Sequence, residues 1–98
     1  MEIEKNNKEI IFKLDGDITL YNEARFKNEI LNNLDDSIIK VIIDMSEVRY
    51  VDSSGIGMFI YLQRNLSRTR KELILKSVPD ILLKILRAGK IDRIFEIH

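Results

Sequence analysis

Ile38-Ile39-Lys40-Val41-Ile42-Ile43-Asp44 is an apolar run of strand length, and it leads through residues 45–52 into Ser53-Ser54-Gly55-Ile56-Gly57-Met58-Phe59-Ile60-Tyr61-Leu62. The unbroken Val41-Ile42-Ile43 predicts a central strand covered on more than one side. The segment after the connection is too long and too apolar for a strand, and its spacing predicts a helix over about 54–70. Strand, connection and helix in that order form the core of a βαβ unit, which places the next strand parallel to the first.

Working outward, Leu73-Ile74-Leu75 supplies that next strand. Residues 2–5 and 9–15 read as two strands about Asn6-Asn7, a turn-favouring pair. In the second, Ile10, Phe12 and Leu14 share one face, and Ile11, Lys13 and Asp15 the other. Over 21–34 the period lengthens: Phe26, Ile30, Leu31 and Leu34 form one stripe of an amphipathic helix. Pro79 suits the first turn of a third helix, which carries Ile81, Leu82, Ile85 and Leu86. Gly89 is expected to end it with a positive backbone angle. Residues 94–97 close the chain as a last strand. The expected architecture is α/β, one domain over 1–98, with order β-β-α-β-α-β-α-β: a mixed, mainly parallel sheet with an N-terminal hairpin and helical crossovers. Three helices hardly cover both faces of five strands, so one face should be the less protected.

A chain of 98 residues can bury a core without staples, and it has no cysteine to make them. That absence removes disulfides, thiolate chemistry and cysteine-ligated metal sites. The longest apolar run, Gly55–Leu62, is eight residues, against about 20 for a membrane span. The first residues lack a signal-peptide pattern, so a cytoplasmic location, without membrane contact, is expected. Sixteen basic and sixteen acidic residues balance. They divide unevenly, seven and twelve over 1–52, nine and four over 53–98. The basic cluster Arg64, Arg68, Arg70 and Lys71 falls at a helix end, where cations complement unpaired carbonyls. That reading is preferred over a nucleic-acid patch, because the chain as a whole is not basic.

Local rules fail at one place, Asp52-Ser53-Ser54-Gly55-Ile56-Gly57. An acid or serine before an apolar helix is an ordinary N-cap, but two glycines in the first turn each cost about 1 kcal/mol against alanine. Such inconsistencies mark functional or strained sites. Two readings stay open: the glycines let the helix start pack on the sheet, or they bare the backbone around Ser53 for another molecule. Residues 56 and 58–62 are apolar nearly all round, which adds a contact surface to the second reading. Known chemistries fit poorly. No Lys-Ser/Thr pair follows Gly57 for a phosphate loop, and a dinucleotide fingerprint lacks its third glycine. The only histidine, His98, ends the chain and serves no serine nucleophile. Asp15, Asp17, Asp44 and Asp52 have no spacing that dictates a metal. The expectation is a binding protein, with no enzyme activity and no cofactor.

A serine at a helix start is a suitable place for phosphorylation, which adds about −1.5 to −2 charges. The bare amides tolerate that charge, so the fold survives. An apolar contact surface beside it does not, because desolvating the charge is costly. The outcome is a folded domain that loses a partner.

Tyr50-Val51-Asp52-Ser53-Ser54-Gly55-Ile56-Gly57 resembles the signature of the STAS domain, found in bacterial anti-sigma factor antagonists and in the tails of sulfate transporters. Gly16-Asp17-Ile18, Val41-Ile42-Ile43-Asp44-Met45-Ser46 and Ala88-Gly89-Lys90-Ile91-Asp92-Arg93-Ile94-Phe95 extend the resemblance over nearly the whole chain. It implies that Ser53, directly after the aspartate, is the phosphorylated residue. It implies as partners an anti-sigma factor that is also an ATP-using serine kinase, and a phosphatase that resets the cycle. The unphosphorylated form would bind the kinase and free a sigma factor. Asp17, Thr19, Asp52, Ser53, Ser54, Gly55, Ile56 and Gly57 are the expected partner-binding residues. Thr19 is a departure, a neutral hydroxyl where the family often has aspartate. The short chain fits a stand-alone antagonist better than a transporter fragment. The alternative function is a constitutive STAS scaffold or a ligand-sensing module whose serine is never modified.

Overall fold

The computed structural model describes all residues, Met1–His98. The elements follow the predicted order: β1 (Glu2–Asn6), β2 (Glu9–Lys13), α1 (Glu23–Asn32), β3 (Lys40–Asp44), α2 (Ser53–Arg68), β4 (Glu72–Lys76), α3 (Asp80–Ala88), a 3-10 turn (Asp92–Ile94) and β5 (Glu96–Ile97). They form one five-stranded sheet whose spatial order is the chain order. β1 pairs antiparallel with β2, and all other pairs are parallel.

That topology explains which face is bare. Each of the three crossovers joins neighbouring strands and advances the same way across the sheet. Crossovers of this kind are right-handed, so all three helices land on one face. Ile10 and Phe12, Val41 and Ile43, and Leu73 and Leu75 point to that face and are buried. Phe26 and Ile30 of α1, Met58, Phe59, Leu62 and Leu66 of α2, and Leu82 and Leu86 of α3 complete the same core. Ile11 and Ile42 look the other way and stay half-buried. Ile74, on that side too, is buried but lies outside the core cluster. The expectation of cover on more than one side of β3 is therefore corrected: its helices lie on one side only.

Other boundaries move for local reasons. α1 begins at Glu23 rather than at 21, because the carbonyl of Thr19 accepts from both Asn22 and Glu23 N–H and forms a tight entry turn. Gly89 does not take the positive angle expected of it; its φ is −84°. Lys90 takes it, at 59°, and Ile91 N–H then reaches back to the carbonyl of Leu86. α2 ends the same way, with Arg70 at φ 60° and Lys71 N–H on Leu66. The Lys71 ammonium also donates to the carbonyls of Asp35 and Ile38. That cation closes loops. The last strand is two residues rather than four: residues 92–94 coil, Ile94 is exposed and Phe95 turns into the core. No helix is long and apolar enough to cross a membrane.

Candidate functional site

At the C-terminal ends of β2 and β3 two loops run side by side. Ile18 and Val51 form a parallel bridge. Ile18 N–H donates to Tyr50 C=O, and Asp52 N–H donates to Ile18 C=O, both at 3.0 Å. The Asp17 carboxylate fixes the same junction. Its Oδ1 accepts from the N–H groups of Arg49 and Tyr50, each at 3.0 Å. Asp17, itself exposed, thus holds the connection in place through one oxygen. Replacing it by alanine leaves two amides without their acceptor, and Asp17→Ala should lose about 1–2 kcal/mol in urea unfolding. An unchanged midpoint would show that the junction does not depend on this carboxylate.

Asp52 is the N-cap of α2. Its Oδ1 accepts from Gly55 N–H at 2.9 Å and its Oδ2 from Leu20 N–H at 2.9 Å, so one side chain caps the helix and ties in the neighbouring loop. Those bonds, the Gly55 amide first, hold its pKa below the ordinary 3.8. A carboxylate so held takes up a proton less readily than a free one. The sign of the linkage follows. The unfolded chain binds more protons near its ordinary pKa, so the contribution of Asp52 is complete above about 3.8 and fades as pH falls through the lower folded value. Asp15, bonded to the N-terminal ammonium, and Asp35, bonded to Ser37 and Lys5, shift the same way. Melting temperature should fall below about pH 4, and less steeply for Asp52→Asn. Parallel curves for the two proteins would contradict the capping role.

Ser53 is the first residue of α2 and is exposed. With both Asp52 oxygens spent on backbone amides, its hydroxyl is left facing solvent at the positive end of the helix dipole. Ser54 is half-buried behind it. The two glycines differ in their surroundings. A side chain at Gly55 would lie 2.5 Å from Val51 Cγ1 and 2.9 Å from Ile18 Cγ2. Gly55 is buried and serves packing; it does not offer its backbone to a partner. A side chain at Gly57 would meet nothing within 4 Å, and Gly57 is exposed. Ile56 is half-buried against the core. Thr19 spends its bonds on the entry to α1: its hydroxyl accepts from Tyr21 N–H, and its own N–H donates to Asn22 Oδ1.

Three exposed residues outside the expected partner-binding set stand around this corner. Leu20, Tyr21 and Tyr50 are 67%, 94% and 50% exposed, and Leu20 is bonded directly to the Asp52 carboxylate. The available signal was Leu20-Tyr21, an apolar pair before a helix whose stripe begins only at Phe26. Along α2, Gly57, Tyr61, Arg64 and Arg68 continue the exposed side from Ser53.

The sequence profile of the STAS domain matches residues 1–98. This chain belongs to the STAS domain family. Among relatives of this STAS chain, the anti-sigma-B factor antagonist of Listeria monocytogenes is 27% identical over 95 residues, 96% of this chain and 82% of that one. The protein of the same name from Staphylococcus aureus is 26% identical over 85 residues, 87% and 70% of the two chains. The STAS fold is shared with solved structures. TM1081 of Thermotoga maritima superposes with a TM-score of 0.84 at 20% identity, over 98% of this chain and 83% of that one. The Bacillus cell fate determinant SpoIIAA in its phosphorylated form gives 0.76 at 15% identity, over 99% and 89%.

Proposed function

We propose that this STAS chain is an anti-sigma factor antagonist whose docking is gated by phosphorylation of Ser53. The unphosphorylated form binds an anti-sigma factor that is also a serine kinase, and so frees a sigma factor; a phosphatase restores the bound form. One observation carries the reading. Ser53 is exposed at the start of α2, beside an aspartate whose carboxylate is already committed to the helix cap. Phosphate there meets the favourable end of the helix dipole but also the fixed negative charge of Asp52. The folded core, on the other side of the helix, is untouched. The partner surface is the corner around Ser53: Ser54, Ile56 and Gly57 of α2, with Leu20, Tyr21 and Tyr50 as its apolar rim. Asp17, Thr19 and Gly55 contribute by shaping it.

The anti-sigma-B factor antagonists among the relatives support the partner class. The phosphorylated form of SpoIIAA supports the tolerance of this fold for the modification. The test is incubation with the cognate kinase and ATP, followed by site mapping in a mass spectrometer. One phosphate on Ser53, and none in Ser53→Ala, is the expected result. Phosphate only at other residues overturns the assignment. Labelling of Ser53 by an active-site serine reagent would instead favour a hydrolase.

A further inference from the structure

The face of the sheet turned away from the helices carries three rows of side chains. The central row is Ile11, Ile42 and Ile74, ended by Glu4 on β1 and Glu96 on β5. The row toward the starts of β2–β4 reads Glu9, Lys40, Glu72, with Asn6 of β1 at its edge, and the opposite row reads Lys13, Asp44, Lys76, with Glu2 of β1 at its edge. Alternation within a row serves the single chain: Lys40 and Glu72 are 3.7 Å apart. It does not require the two rows to be out of phase. They are, and every one of these three strands carries opposite charges at its two ends on this face.

We propose that this face is the interface of a homodimer, a second copy stacking on it across a two-fold axis that runs along the isoleucine row. Rotation about that axis reverses the strands, keeps each strand over its own copy and exchanges the outer rows. Glu9 then faces the partner's Lys13, Lys40 faces the partner's Asp44, and Glu72 faces the partner's Lys76. Ile42 meets its own copy at the centre. Glu4 and Glu96 also meet their copies, at the solvent rim, where screening keeps the repulsion small. Twisted sheets pack about 30° off alignment, so the match is best at β3 and opens toward the edges. Four strands about 4.8 Å apart and about 17 Å long, with the two-residue β5 at one edge, give a footprint of roughly 350 Å². That is less than half of a standard specific interface per partner and fits a weak, transient dimer. Reversal of the strands puts the two Ser53 corners at opposite ends of the dimer, both open. The proposal therefore stands apart from the reading of Ser53.

Sedimentation velocity of the whole chain, from about 10 µM to about 1 mM, should show a monomer passing into a dimer, less so at high salt. Lys40→Glu sets acid against acid across the axis, and Asp44→Lys sets cation against cation; each should weaken self-association about tenfold or more. An equimolar mixture of the two variants should recover it, because each then faces its opposite. Circular dichroism checks that both fold. If either does not, Glu72→Lys and Lys76→Glu repeat the same logic one strand over. A chain that stays monomeric throughout overturns the proposal. So do single variants that dimerise like the parent, or a mixture no better than its parts.

Discussion

Gly55→Ala should be about 2 kcal/mol less stable than the parent chain in urea unfolding, whereas Gly57→Ala should match or slightly exceed the parent. The difference arises within one turn of the same helix. At Gly55 the new methyl would sit 2.5 Å from Val51 Cγ1, 2.9 Å from Ile18 Cγ2 and 3.2 Å from Ile18 Cβ. Neither neighbour yields easily. Ile18 and Val51 are 0% and 3% exposed, and the bridge between them fixes both backbones. Overpacking of this kind costs about 1–3 kcal/mol, and occasionally more. The intrinsic preference of a helix for alanine returns at most about 1 kcal/mol. At Gly57 only the favourable part remains, because the space is empty. Equal stabilities for the two variants would show that α2 does not start against the Ile18–Val51 bridge. The effect should also reach the site, since displacing Val51 displaces the cap one residue later.

Ser53→Asp should lower affinity for the anti-sigma factor about a hundredfold while leaving the melting temperature within a few degrees. Binding covers the corner and strips water from the new carboxylate, and no cation of this chain is bonded there to take its place. In the free protein the same carboxylate sits in solvent at a helix start, a position that suits acids. Ser53→Asn separates charge from size. It should keep affinity within a few-fold of the parent, because a neutral amide of similar shape brings no ion to desolvate. Equal losses from Asn and Asp would mean that the corner rejects bulk, and the electrostatic account would fail. Parent-like binding by Ser53→Asp would favour the constitutive scaffold.

Features carried by short-range pattern were readable from the chain. The alternation in β2, the apolar run of β3 and the stripe of Phe26 and Ile30 each concern neighbours in sequence, and the structure has the elements they imply. The α2 start was readable because two glycines broke a local rule. That Gly55 serves packing was not, since the reason lies in Ile18, reached only when the loop after β2 folds beside the loop after β3. Asp17 and Thr19 illustrate the same limit. The resemblance named them as partner-binding residues, and only the fold shows that their bonds run to Arg49 and Tyr50 and to the α1 entry. Lys90 in place of Gly89 at the positive angle shows that a single residue type does not locate a helix end when the last apolar contact, here Ile91, sets it. The bare face of the sheet was expected, but its side was fixed only by strand order.

The most direct test is a calorimetric titration of the cognate anti-sigma factor with the unmodified chain, with the same chain carrying one phosphate on Ser53, and with that sample after phosphatase treatment. Binding by the first, a loss of about a hundredfold or more in the second and recovery in the third are the results expected of a gate at the start of α2. Equal affinity for all three samples would contradict it.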